Sequence, residues 1–354
     1  MLTISPATCG RHMGLSVTPP TTTNDKTPNH DEAYWLRLAQ AAIAQEPAYA
    51  DANVTWMAHT HNAVFNVQNG PYLAVLTLYK HNVSVSRLQS EARWLQAISE
   101  QTELVVGRPI KLLSVHDTQT GNIIRGVLKA YVEGAPKAPL DLSIDDMARI
   151  GSFLAQLHHF SEQYEPPADF DRPRLDYDGL FGKGGTYDPG EAIAVFTAHQ
   201  LSIIEQTTER IHKAMNEIGQ DQADFGLVHG DMLSKNILFH EGDVRAIDWE
   251  FSGWGYYLYD MTPLLWQLKS QANYDDLAAA LWSGYTSKRP LPAHYGPLLD
   301  TFIAARQVAS MRWLASNLDH PMVKGHAQAL IQQRTQELQE FLKTGKLRRQ
   351  SITL

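Results

Sequence analysis

The sequence predicts an α+β protein in two lobes: a small five-stranded antiparallel sheet lobe carrying a helix, then a larger, mostly helical lobe. Two observations carry this. Between Asn53 and Glu133 the chain passes through short stretches rich in β-branched and aromatic residues, separated by turn residues, with one strongly helical stretch among them. Beyond the Pro- and Gly-bearing connection "VEGAPKAPLDLS", apolar residues recur at helical spacing almost to the C-terminus. This composition shift divides the chain into an N-terminal lobe, residues 31–132, and a C-terminal lobe, residues 133–354.

Each element has a local reason. Residues 1–30 include "TPPTTTNDKTPNH", a composition too polar to bury enough apolar surface to order itself, so a flexible tail is expected. "EAYWLRLAQAAIAQ" sets Tyr34, Leu38, Ala41 and Ala42 on one helical stripe, and Pro47 ends it. "NVTWMAHT", "AVFNVQ" and "YLAVLTLYK" read as three strands, the last two joined by the turn "NGP". "SVSRLQSEARWLQAISEQ" is a helix packed on the sheet, capped by Ser84 or Ser86, with Leu88, Ala92, Leu95 and Ile98 on its apolar face. "RPIKLLSV" and "IIRGVLKAYVEG" complete the five strands.

In the second lobe, "IDDMARIGSFLAQLHHF" aligns Met147, Ile150, Leu154 and Leu157, and one long helix is expected over "EAIAVFTAHQLSIIEQTTERIHKAMNEI". The stretch between them, "PPADFDRPRLDYDGLFGKGGTYDPG", reads as a long loop, and such loops in compact domains tend to be functional. Four helical stretches follow residue 257. No fixed-period repeat occurs.

Composition excludes several classes. With 354 residues and 44% hydrophobic content, the chain can build a core in each lobe. A net charge of −8 leaves no basic footprint for nucleic acid. Cys9 is the single cysteine, so no intrachain disulfide forms and a reducing, cytoplasmic setting is expected. No stretch is apolar for long enough to span a membrane. Either a monomer or a homodimer is compatible with these features.

Chemistry is concentrated in "LVHGDMLSKNILFHEGDVRAIDWEFSGWG", Leu227 to Gly255, where two short apolar strands each end in polar groups: His229, Asp231 and Asn236, then Asp248 and Glu250. Asn236 follows Asp231 by five positions and Asp248 follows Asn236 by twelve. "HGDMLSKN" followed by "AIDWE" resembles the signature of the aminoglycoside phosphotransferase and choline kinase superfamily, whose fold is similar to that of protein kinases. The resemblance extends over roughly residues 50–270. "EARWLQAI" is similar to the sheet-lobe helix with its acidic residue at Glu91. "YVEGAP" is similar to the hinge, where Tyr131, Val132 and Glu133 would meet adenine. "IGSFLAQLHHFS" and "YLYDMTPLL" match the helix before the catalytic loop and the segment after the metal loop.

The resemblance implies an ATP- and Mg²⁺-dependent transfer of the γ-phosphate to a hydroxyl of a small molecule. The residue types suit that chemistry. Mg²⁺ prefers hard oxygen ligands, which Asn236 and Asp248 supply, with phosphates and water completing the shell. Asp231 can take the proton of the attacking hydroxyl. His229 braces the loop, as the resemblance implies. Glu250, Asp260 and Trp254 are candidates for the acceptor side. Asp176 and Asp178 add carboxylates that would suit a cationic acceptor, and the aromatic run from Trp249 to Tyr257 reads first as packing. His158 and His159 read as structural. Aminoglycoside, choline, homoserine and sugar-like acceptors all stay open.

One departure stands out. The third strand of the resembling family carries a Lys or Arg that grips the phosphates and pairs with the helix carboxylate, and here Thr77 occupies that place. A hydroxyl carries no charge to set against phosphate. Lys80, three positions on, and Lys129, on the strand leading to the hinge, are possible replacements. His59, His61 and Asn62, in the first turn, are further donors for phosphate. A nucleotide- or metabolite-binding protein with impaired catalysis is therefore the alternative, and a metal-dependent phosphohydrolase a third reading.

Overall fold

A computed structural model describes residues 31–59, 62–79, 83–320 and 322–347. The N-terminal tail, His61, Lys80 and the side chain of His59 lie outside the described residues.

The first helix, α1 (Glu32–Ile43), opens where the Asp31 carboxylate accepts from the Tyr34 amide at 2.9 Å. Strands β1 (Asn53–His59), β2 (Ala63–Asn69) and β3 (Tyr72–Leu78), helix α2 (Val85–Gln101), and strands β4 (Pro109–His116) and β5 (Ile123–Ala130) follow. The five strands form one antiparallel sheet, as expected, and its order is β1-β2-β3-β5-β4. Side chains alternate across it. Phe65, Val67, Leu76 and Leu128 face one way and close a core with Trp35, Leu38 and Ala42 of α1. Buried Asp117 ties α1 to the β4–β5 turn by accepting from the Tyr34 hydroxyl at 2.7 Å, and its carboxyl is held well below the ordinary range, because these bonds overcome the opposing effect of burial.

Helix α2 starts at Ser84, whose hydroxyl accepts from the Arg87 amide. It touches β4, but Trp94, Leu95 and Ile98 belong to the core of the large lobe, with Trp94 stacked on Phe160 at 5.3 Å between ring centres. The helix expected to lie on the sheet is shared by both lobes.

The large lobe contains β6 (Ala135–Pro136), α3 (Ile144–Gln163), β7 (Arg174–Leu175), α4 (Tyr177–Phe181), α5 (Ala198–Ile218), β8 (Phe225–Val228), β9 (Ile237–His240), β10 (Asp243–Ala246), β11 (Gly253–Tyr256), α6 (Tyr257–Asp260), α7 (Thr262–Leu268), α8 (Tyr274–Thr286), α9 (Leu299–Ser316) and α10 (Ala327–Thr344). The long helix expected from Glu191 breaks before α5. Thr197 and Gln200 form a reciprocal capping box, so the polar pair that reads as helix interior is a start signal. Helices α3 and α8 cross through Gly151 and Gly284, where an added Cβ would lie 2.1 Å and 1.9 Å from opposing carbonyl oxygens. Two three-stranded sheets, β10-β9-β6 and β7-β11-β8, frame the segment rich in polar groups. Among the described residues no helix is long and apolar enough to cross a membrane.

Candidate active site

The turn after β8 is held from beneath. The Asp260 carboxylate accepts from the His229 amide at 2.8 Å and the Gly230 amide at 2.7 Å, fixing the backbone just before Asp231. Gly230 is required there: its φ is +80°, and a Cβ would meet the Phe251 carbonyl oxygen at 2.5 Å. The His229 ring stands between two backbone groups, with Nε2 2.9 Å from the Ile247 carbonyl and Nδ1 accepting from the Asp231 amide at 3.2 Å. This ring links the turn after β8 to the strand end that leads to Asp248. Burial alone would raise the Asp260 carboxyl, but the His158 ring at 3.1 Å and the two backbone donors hold it below its ordinary value. Burial pulls the His158 imidazole below its ordinary pKa, and its Nδ1 lies 2.9 Å from the Tyr285 hydroxyl, which completes this buried network.

Asp231 is wholly buried. Arg306 from α9 donates to its Oδ1 at 2.6 Å, and the Asn236 amide nitrogen donates to its backbone carbonyl at 2.8 Å and to Oδ2 at 3.2 Å. With its nitrogen so committed, Asn236 turns its amide oxygen the other way. The Asn236 carbonyl accepts from the Ile247 amide at 3.0 Å, which binds the start of β9 to the end of β10. Ser234 is fixed by the Gln267 side chain of α7 at 3.0 Å.

Asp248 follows the β9–β10 hairpin in a left-handed conformation, φ +66°, uncommon for a non-glycine residue and tolerated best by Asp and Asn. The residue is exposed, and no hydrogen bond or ion pair joins its side chain to another of the described residues. Crowding by surrounding protein raises its carboxyl above the ordinary range, and Asp231 adds repulsion, while Lys235, His229 and Lys129 oppose the rise. Among the described residues no group of three His, Cys, Asp or Glu side chains is gathered to hold a metal alone. One carboxylate and one amide oxygen beside an open cleft fit an ion whose remaining ligands are phosphates and water.

Behind this pair, Glu91 of α2 is buried, with Lys129 Nζ 3.0 Å from Oε1 and Arg172 Nη1 3.5 Å from Oε2. These two cations keep its carboxyl low against the opposing effect of burial. Arg172 also donates to the carbonyls of Trp249, Glu250 and Ser252 at 3.2, 2.6 and 2.7 Å. Its neighbours moor α2 to the large lobe: Asp171 accepts from Ser86 at 2.6 Å, the Asp171 amide donates to Ser90 at 2.8 Å, and Asp169 pairs with Arg93 at 2.7 Å. Thr77 lies half-buried on β3, opposite Val64 and Val127. Tyr131, Val132 and Glu133 form the connection between β5 and β6, with Val132 buried and the Glu133 carbonyl accepting from Arg245 at 3.0 Å.

The residues named for the acceptor side are scattered. Asp260 lies beneath the turn, its oxygens given to the backbone and His158. Trp254 meets Phe170 edge to face, Phe170 meets Tyr164 likewise, and a tilted contact carries the series on to Trp94. Asp176 caps α4 and pairs with Arg174 at 2.6 Å. Glu250 stays near Asp248, accepting from Asn62 of the β1–β2 turn at 2.6 Å, with burial foremost and Asp248 next pushing its carboxyl up to about 8. Sequence reasoning missed Arg172 and Arg306. A charged residue inside the apolar run "FIAARQVASM" does signal a buried partner, although it does not say which one.

Comparisons place the chain among known proteins. The sequence pattern described as "Phosphotransferase enzyme family" matches residues 58–296. Amicoumacin kinase of Bacillus subtilis (strain 168) is 25% identical over 256 residues, 68% of this chain and 71% of that protein. A microcompartment-associated aminopropanol kinase superposes with a TM-score of 0.76 at 21% identity, over 88% of this chain and 99% of its own. An amicoumacin kinase in complex with AMP-PNP, Ca²⁺ and Ami gives 0.72 at 16% identity, over 89% and 94%. A choline/ethanolamine kinase family protein from Mesorhizobium loti gives 0.60 at 18% identity, over 86% and 94%.

Proposed function

Because the chain belongs to the phosphotransferase enzyme family, we propose that it moves the γ-phosphate of ATP, with Mg²⁺, to a hydroxyl of a small molecule between its two lobes. What supports this most is the pairing of a clamped carboxylate, Asp231, with an open one, Asp248, joined through Asn236 and the Asn236–Ile247 backbone bond. Asp231 accepts the proton of the incoming hydroxyl, and Arg306 and Asn236 hold its carboxylate in a single orientation. Asn236 and Asp248 would hold the ion, which would supply charge neutralisation on the phosphate oxygens. Tyr131, Val132 and Glu133, on the connection between β5 and β6, would border the adenine. A relative captured with AMP-PNP and Ca²⁺ favours nucleotide and divalent-ion use.

The acceptor reading follows from charge. The guanidinium of Arg306 lies against Asp231, while Asp176 and Asp260 are engaged in local structure. A highly cationic aminoglycoside therefore has fewer free carboxylates to meet than the sequence suggests. We favour a smaller hydroxyl compound, of the amino-alcohol kind that the relatives' names suggest. A single cysteine and the use of ATP fit the cytoplasm. The test is ADP release with Mg²⁺ and ATP across aminopropanol, choline, ethanolamine, homoserine, amicoumacin, sugars and aminoglycosides. Acceptor-stimulated ADP release supports the reading. Tight Mg·ATP binding with no stimulation by any of them overturns it in favour of a binding protein.

A further inference from the structure

The phosphate-facing cation missing from β3 has a replacement on the next strand. We propose that Lys129, on β5, grips the nucleotide phosphates in place of Thr77; this rests on the phosphotransferase reading above.

The sheet register shows why the exchange is possible. In the antiparallel β3–β5 pair, Val75 lies opposite Lys129 and Thr77 opposite Val127. Directly opposed residues share a face, so Thr77 and Lys129 both project away from the α1 core that Leu76 and Leu128 enter. They are diagonal neighbours, about 7–8 Å apart at their roots. A lysine stem spans that offset, so an ammonium rooted at residue 129 reaches ground open to one rooted at residue 77.

The contacts indicate the task. Glu91 receives one cation on each oxygen, Lys129 at 3.0 Å and Arg172 at 3.5 Å. Arg172 is committed, since its other donors bind the carbonyls that shape the segment after Asp248. Lys129 donates to Glu91 alone among the described residues, and its side chain is 13% exposed against 4% for the carboxylate it meets. Its ammonium thus has donors to spare, and part of the side chain is open to solvent. Through the Glu91 carboxylate it shares with Arg172, whose other donors bind the Trp249, Glu250 and Ser252 carbonyls, Lys129 is tied to the segment that follows Asp248. A compact ammonium is suited to phosphate as a point charge, and Glu91 orients it.

The test compares wild type with Lys129→Met, Lys129→Arg and the double variant Thr77→Lys/Lys129→Met. It measures ADP release with the best acceptor of the panel, or with water, and Mg·ATP binding by calorimetry. Lys129→Met is expected to lower kcat by roughly 10²- to 10³-fold while the Kd for Mg·ATP rises less than tenfold. Lys129→Arg should retain about a tenth of wild-type turnover or more, and Thr77→Lys should recover at least about tenfold over the single variant, as charge restored from the original strand requires. Wild-type turnover in Lys129→Met overturns the assignment. A measurement without substitution guards against misfolding: limited acetylation of the wild type, read by mass spectrometry, should label Lys129 several-fold less when Mg·AMP-PNP is present. Unchanged labelling overturns the assignment too. Asp248→Asn separates the two ideas, since loss of Mg-dependent turnover there with full turnover in Lys129→Met removes only the lysine. Absence of Mg·ATP binding by the wild type removes both.

Discussion

Asp231 and Asp248 follow strands of two different sheets, one after β8 and the other after β10, and are treated in opposite ways. Asp231 is buried and held on both oxygens, by Arg306 at 2.6 Å and Asn236 at 3.2 Å. Asp248 is strained into a left-handed backbone, is exposed and is pushed above its ordinary pKa. The difference separates two demands of phosphoryl transfer. A base must already point where the hydroxyl arrives, so its orientation is fixed in advance. A metal ligand must give its charge to an arriving ion, so it is left poorly compensated until then.

Breaking the clamped side should cost most. Asp231→Asn is expected to lower kcat by about 10³-fold or more with Mg·ATP affinity nearly unchanged, measured by coupled ADP release and calorimetry. Arg306→Met leaves a buried carboxylate without its cation and should destabilise the fold by about 3–5 kcal/mol in urea titration. Adding Asp231→Asn to that variant should recover much of the loss, and simple additivity would show that the two groups do not act as a pair. Asp260→Asn removes charged acceptors from two backbone amides at about 1.5–3 kcal/mol each at most. Because the Asp260 carboxyl lies below its ordinary 3.8 in the folded chain, its stabilisation is present above 3.8 and lost as pH falls through the folded value. The variant's stability should therefore fall less steeply than wild type below that pH. The open side should respond least: Asp248→Asn should weaken Mg-dependent nucleotide binding about tenfold and, without Mg²⁺, leave the melting temperature equal or higher. A lower melting temperature would show that the carboxylate already has a partner.

What the sequence disclosed follows from how local each feature is. Strands β1 to β5 were legible because alternation and turn residues lie within a few positions of one another. The spacing of Asp231, Asn236 and Asp248 is local for the same reason, since β9 and β10 form one hairpin. The break before α5 was hidden, because Thr197 and Gln200 read equally well as polar interior positions. Trp254 drew attention as a site residue, and its ring joins a packing series whose members come from four separate stretches. Arg306 meets Asp231 across 75 positions and Arg172 meets Trp249 across 77, distances at which residue pattern no longer names a partner.

Helix α2 carries Glu91 and is fastened to the large lobe along its length, through Ser86, Ser90, Glu91 and Arg93. These contacts set the place of Glu91 from the large lobe as well as from the sheet that carries Lys129.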